Sequence, residues 1–228
     1  TEGQAKKKKK KFIGEDKIQE INSNGKSQNG NIESYSFTAK VGNEQEYVIS
    51  VSIKGGHVVS MNSNREVTSE NIKPEDAVNL GKQFLNNREF KNMEATYYLN
   101  YNGILTVNYA YHQDDVTMYP DLVKVKIALD NGEILGVEST GYLNSHRDKR
   151  ELPQDLITEE QAKEKVNTKL EIKSSGLAVI PTKWNTEILC YEFKGNTGEN
   201  DFIVYINAQT GEEEDILMII NTPDGTLT

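Results

Sequence analysis

Four consecutive carboxylates, Glu212-Glu213-Glu214-Asp215, form the densest concentration of potential chemistry in this 228-residue sequence. Carboxylate oxygens suit a hard cation such as calcium, but only when the chain curls them around the ion. This run follows Thr210-Gly211 and leads into Ile216-Leu217, which reads as a turn entering a strand. Alternate strand residues point to opposite faces, so the four acids do not converge on one ion. They read as a charged strand edge that also deters unwanted pairing. The three histidines, His57, His112 and His146, stand far apart, none with a partner at a metal-ligand spacing. His112-Gln113-Asp114-Asp115 lies between two strand-like runs and reads as a hairpin turn, and His57, after Gly55-Gly56, as strand-end packing. The single cysteine, Cys190, excludes an intramolecular disulfide. Its setting, Ile188-Leu189-Cys190-Tyr191, is that of a buried, inert thiol.

Other catalytic patterns are missing. There is no Gly-x-Ser-x-Gly elbow, no Cys with a plausible His partner, and no Gly-rich phosphate loop followed by Lys and Ser or Thr. Paired acids could hydrolyse a glycoside, but no pair stands out among 35 acidic residues. The reading therefore assigns no catalytic, metal-binding or cofactor-binding residue and predicts a protein that is not an enzyme. Binding remains. Tyr97, Tyr98, Tyr101, Tyr109, Tyr111 and Tyr119 cluster mid-chain, and tyrosines bring large contact area at low entropic cost. The candidate partner surface is Tyr97, Tyr98, Tyr101, Tyr109 and Tyr111 together with Glu212, Glu213 and Glu214. A net charge of −9 argues against nucleic acid as the partner. The charge is uneven: residues 1–66 carry 11 basic and 8 acidic side chains, residues 151–228 carry 6 and 15.

The elements that would position these residues recur three times. Ala77 to Leu85 reads as a helix whose first position is Pro74, where the missing N–H costs nothing, with Glu75 and Asp76 at the positive end of its dipole. Its stripe is Ala77, Leu80, Phe84 and Leu85. Thr158 with Gln161 reads as a capping box, and Ala162, Val166 and Leu170 make the next stripe. Ala5 and Phe12-Ile13 mark a third copy in which Lys6 to Lys11 fill the helix body; like charges at i,i+4 repel, so this helix should be frayed or solvated. Each helix gives way to period-two runs. Val123, Val125, Ile127 and Leu129 face one way, and Asp130-Asn131-Gly132 supplies the turn that follows. Phe202, Val204 and Ile206 alternate likewise before Thr210-Gly211.

The expected architecture is α+β: three tandem repeats over 1–66, 67–150 and 151–228, each a helix packed on an antiparallel meander, the first truncated. Asn62 to Arg65 and Asn144 to Pro153 read as polar linkers, the latter as the place where proteolytic nicking would concentrate. Neighbouring repeats should share interfaces, because about 75 residues is near the lower limit for an independent core. No apolar stretch is long enough to cross a membrane and no signal-peptide pattern is visible. The opening without a helix cap before Ala5 points to a piece of a longer chain.

The helix–meander unit closing in Val123 to Gly136, and again in Phe202 to Glu212, resembles the PepSY domain. Over its whole length the chain is similar to the C-terminal region of the YpeB family of germination proteins. Ile32 to Phe37, Gly55 to Val58, Tyr119 to Leu122, Leu189 to Phe193 and Gly211 to Leu217 carry that likeness, in order. The hexalysine departs from it. The resemblance implies a non-enzymatic protein at the outer side of the spore inner membrane or at the cortex. It implies a membrane anchor in a preceding region and a partner in the cortex-lytic transglycosylase SleB, which it would stabilise, localise or restrain. PepSY modules also imply the alternative of an inhibitor of a secreted protease. The pattern leaves room for a homo-oligomer.

Overall fold

The computed structural model describes residues 2–42, 44–184, 186–198, 200–222 and 225–227, with side chains at 6–11, 15, 220–222 and 225–227 outside the description. A helix, α1 (Glu2–Ile13), precedes strands β1 (Ile18–Asn29), β2 (Ile32–Val41), β3 (Gln45–Ser52) and β4 (Val58–Ser63). Next, α2 (Pro74–Asn86) precedes β5 (Met93–Tyr101), β6 (Ile104–Gln113), β7 (Val116–Ala128) and β8 (Ile134–Glu138), with a short helix α3 (Thr140–Ser145) after them. Last, α4 (Glu159–Lys163) precedes β9 (Glu171–Pro181), β10 (Glu187–Asn196), β11 (Asp201–Asn207), β12 (Glu213–Thr222) and β13 (Gly225–Leu227). The fold is mixed α+β, dominated by one sheet of 13 strands in the order β1-β2-β3-β4-β8-β7-β6-β5-β13-β12-β11-β10-β9.

Local chemistry accounts for most turns. Asp114 and Asp115 both take positive φ (50° and 65°) between β6 and β7, the geometry of a two-residue hairpin in which short polar side chains tolerate the left-handed region. Asn102-Gly103 does the same between β5 and β6. On β7, Val123, Val125 and Ile127 are fully buried while Lys124 and Lys126 face solvent.

The sheet forks at β7. Val116, Thr117 and Met118 pair in parallel with β9, whereas Lys124 to Ile127 pair with β8. Pro120 falls between these two segments. Proline offers no N–H to a ladder, so the position where β7 changes neighbours is where it is tolerated. Through the β7–β9 pairing and the β13–β5 pairing, the strands β5, β6, β7 and β9 to β13 close into a ring of eight. This explains why β11 buries both faces: Val204 and Ile206 look to one side, Ile203 and Tyr205 to the other, and all four are buried. Alternation alone had shown only one of those faces.

The helices differ from expectation in instructive ways. In α2 the buried positions are Ala77, Gly81 and Leu85, while Leu80 is 36% exposed and Phe84 half-buried. Gly81 is in the stripe because Tyr109 on β6 rises against it: a Cβ there would lie 2.2 Å from the Tyr109 hydroxyl. In α4 the capping box is formed, Thr158 Oγ1 accepting from Gln161 N at 3.2 Å and Gln161 Oε1 from Thr158 N at 2.8 Å. Yet α4 stops at Lys163, and Val166 and Leu170 are buried from successive turns rather than one helix. The backbone of α1 is helical throughout; the side chains of Lys6 to Lys11 lie outside the described residues, and the expectation for their solvation with them. Ala5 is buried, and Phe12 meets Phe84 edge-on at 5.4 Å. Arg88 completes that contact. Its guanidinium lies 3.4 Å from the Phe84 ring centre and donates to Phe84 O (3.0 Å) and Phe12 O (2.8 Å). These carbonyls belong to the last turns of α2 and α1, the negative ends of their dipoles.

Candidate functional site

The structure separates the candidate tyrosines. Tyr109 is fully buried and donates its hydroxyl to Val78 O at 2.7 Å. Tyr111 is 8% exposed and packs edge-on against His146 at 4.7 Å. Both lie on the face of β6 that meets the core, so neither belongs to a partner surface, and that part of the expectation is corrected. Tyr97 turns inward with Tyr119 and Tyr205 against the cluster of Ala178, Ile180, Cys190 and Ile203. Tyr98 (36% exposed) and Tyr101 (72%) remain on the surface, Tyr101 beside a groove of about 640 Å³ that Arg65, Glu70 and Gly103 also line. Glu212, Glu213, Glu214 and Asp215 are all exposed, and Glu214 accepts from Asn207 Nδ2 at 2.8 Å. Beyond them on β12, Ile216 and Met218 are about half exposed. Only β13 separates β12 from β5 in the sheet. The surface that emerges is two tyrosines and an acidic strand with an apolar continuation.

No reactive constellation lies beneath it. Among the described residues no three His, Cys, Asp or Glu side chains gather where they could hold a metal ion. Cys190 is buried, and burial pushes its thiol up to about 12, so it is an inert core residue as its sequence context indicated. His57 is half exposed, with Nδ1 2.9 Å from Glu89, rather than packed at a strand end.

Sequence reasoning missed what braces the surface. The segment read as a polar linker, 144–153, contains the end of α3 and a buried arginine. Arg150 is 4% exposed and forms a two-pronged pair with the fully buried Asp121 on β7, at 2.6 and 2.9 Å. It also donates to both Glu187 oxygens on β10, at 2.8 and 2.9 Å. Gln113 holds its backbone at both N and O. His146 stacks on Tyr142 at 4.1 Å and places Nδ1 2.8 Å from Asp121 Oδ2. One residue before Pro120, Tyr119 donates to Glu192 at 2.6 Å, as Tyr205 does at 2.9 Å. The fork in β7 is thus tied to β10 by Tyr119 on one side of Pro120 and Asp121 on the other. Arg65, from the other supposed linker, plays the same part between β4 and β8: it grips Asp130 with two bonds of 2.8 Å and Glu133 with a third. A lone arginine in a polar stretch carries no periodic signal, so nothing in the sequence marked either one.

These pairs set an acid limit. The Arg150 hydrogen bonds hold the Glu187 carboxyl below its ordinary 4.5, and those of Arg65 hold Asp130 below 3.8. At Glu133 burial pushes upward, but hydrogen bonds from Tyr47 and Gln45 and the charge of Arg65 outweigh it and the net shift is down. A folded value below the unfolded one adds stability above the unfolded value, and that stability is lost as pH falls through the folded value. Urea midpoints should therefore be level from neutral pH to about 4.5 and fall progressively below it, with a shallower fall in Glu187→Gln. Parallel curves for the two proteins would show that this carboxylate is not linked to folding.

Helices backed by antiparallel meanders, without a catalytic cluster, place the chain in the class of PepSY-domain proteins: residues 156–217 match the PepSY family, described as peptidase propeptide and YPEB domain. Residues 1–153 match the family described as YpeB sporulation, PepSY1 and PepSY2 domains. The chain belongs to the YpeB family. Sporulation protein YpeB of Halalkalibacterium halodurans is 34% identical over 173 residues, 76% of this chain and 38% of the relative. That of Bacillus subtilis strain 168 is 34% identical over 200 residues, 86% of this chain and 44% of the relative. The solved Bacillus megaterium YpeB C-terminal domain superposes with a TM-score of 0.85 at 29% identity, covering 97% of this chain and 98% of that one. The chain spans less than half the length of the curated relatives it matches.

Proposed function

We propose that this chain is a non-enzymatic binding region of a spore protein, and that it stabilises, localises or restrains the cortex-lytic transglycosylase SleB during dormancy. Family membership supports the sporulation setting: the relatives it matches are named sporulation proteins. The observation that carries the binding role is the braced sheet, which holds Tyr101 and the acidic strand β12 outward on elements tied together by buried arginine pairs. In this reading the three helix–meander units are tandem PepSY modules over 1–66, 67–150 and 151–228, and the partner engages Tyr98, Tyr101 and Glu212 to Glu214.

Gel filtration and pull-down with purified SleB test this directly, using both this chain and the longer protein that includes the preceding region. Tyr101→Ala combined with glutamine at 212, 213 and 214 should weaken the complex about 30-fold, the effect of losing about 2 kcal/mol at an interface anchor. Wild-type affinity in that variant would move the interface elsewhere, and no complex at any ionic strength with either length would remove SleB as the partner. The peptidase-propeptide description of the family matched by residues 156–217 favours a second reading, inhibition of a secreted protease. Slowed cleavage of a reporter substrate by candidate proteases distinguishes it; simple digestion of the chain excludes it.

A further inference from the structure

The chain has one tryptophan, and it is the most exposed large apolar residue described: Trp184 is 87% accessible at the tip of the β9–β10 hairpin. The turn that presents it is well ordered by its own hydrogen bonds. Thr182 N donates to Thr186 O at 2.8 Å. Thr182 Oγ1 accepts from Trp184 N and from Thr186 N, each at 3.2 Å, and contacts Thr186 Oγ1 at 2.6 Å. Apart from the indole, the described residues of the tip are polar or charged: Thr182, Lys183 and Thr186. An indole held out on a polar support lacks the surrounding apolar area that a protein–protein core requires. It has the form of side chains that lodge at a membrane–water interface, apolar ring in the acyl boundary and N–H toward the headgroups.

Charge near the tip agrees with that partner. Lys183 is exposed beside the indole, and exposed Arg147 and Lys149 line the cleft that reaches Thr186 and Glu187. The same loop carries Asp148 and Glu151, both exposed, while the Glu187 carboxylate is occupied by Arg150. The neighbourhood is modestly cationic on a chain whose residues 151–228 are strongly acidic. We propose that the β9–β10 tip is a docking point for an anionic lipid bilayer, Trp184 entering the interface and Lys183 meeting the headgroups. This contact is weak on its own and separate from the β12 surface. Peripheral attachment of this kind generally needs a second signal to become stable.

The lone tryptophan reports on its own environment. Vesicles of phosphatidylglycerol and phosphatidylcholine in equal parts should shift its emission to shorter wavelength and protect it from acrylamide, and brominated acyl chains should quench it. Pure phosphatidylcholine should do so far less. Trp184→Ala should no longer float with the anionic vesicles, while Lys183→Gln should lower the partition coefficient about five-fold, the effect of about 1 kcal/mol per charge at such a surface. An unchanged spectrum at saturating lipid overturns the proposal. So does an emission shift produced by SleB and not by vesicles, which would assign the tip to a protein partner.

Discussion

Replacing Arg150 by alanine is expected to destabilise the chain by about 3–5 kcal/mol, the effect of stripping the partner from a buried charge. Asp121 is fully buried on β7 and takes two guanidinium bonds; without them, only His146 remains beside it. Arg65→Ala serves as the comparison. Its partners Asp130 and Glu133 keep 19% and 20% exposure, so water can replace part of what is lost and the cost should be nearer 1.5–3 kcal/mol, the range for hydrogen bonds to charged groups. Urea unfolding measures both. The double variant Arg150→Ala, Asp121→Ala should lose less than the sum of its single changes, because no orphaned carboxylate is left. A smaller loss for Arg150→Ala than for Arg65→Ala would contradict the ranking. Arg150→Ala should also loosen β10 from β7, so a reduced denaturant slope alongside a lower midpoint would show residues beyond 150 unfolding on their own.

The second large effect has a sign opposite to the usual one. Glycine to alanine inside an exposed helix normally gains about 1 kcal/mol. At Gly81 the new methyl would lie 2.2 Å from the Tyr109 hydroxyl and 3.3 Å from Ile127 Cδ1. Overpacking of that kind costs about 1–3 kcal/mol, so Gly81→Ala should lower the midpoint. Tyr109→Phe alone should cost about 0.5–1.5 kcal/mol for the hydrogen bond to Val78 O. In combination the two should cost less than their sum, because the clash disappears with the hydroxyl. Strict additivity would mean that α2 moves away from the sheet rather than meeting the tyrosine.

The strands were legible because their cause is local. Val123, Val125 and Ile127 announce a strand with one buried face, and Asp114-Asp115 and Thr158 with Gln161 announce a turn and a cap, since each pattern is satisfied within a few residues. The closed ring was not legible. Ile203 and Tyr205 are buried by strands from another part of the chain, and the single-residue pairing of Gly225 with Leu99 leaves no composition signal. The tyrosine surface failed in part for the same reason: Tyr109 and Tyr98 are the same residue type in equivalent-looking runs, and only the position of Gly81 decides which one a helix covers. Arg150 was assigned to solvent because arginine in a polar stretch usually belongs there, and its buried partner, Asp121, lies 29 residues away. The exposed acids of β12 were read correctly because a carboxylate run without cations nearby must stay in water.

The ring also sets an order in time. β5 has β6 on one side and β13 on the other, and β13 follows every other strand in the chain. During synthesis, β5 therefore waits with an open hydrogen-bonding edge while β6 to β12 emerge and pair. An unfilled edge is a template for a wrong neighbour, and contacts of such long sequence separation form slowly. The stretch carrying Tyr98 and Tyr101 is the last part of the sheet to be sealed, and the interval before β13 arrives is when a nascent chain is most open to joining a second one.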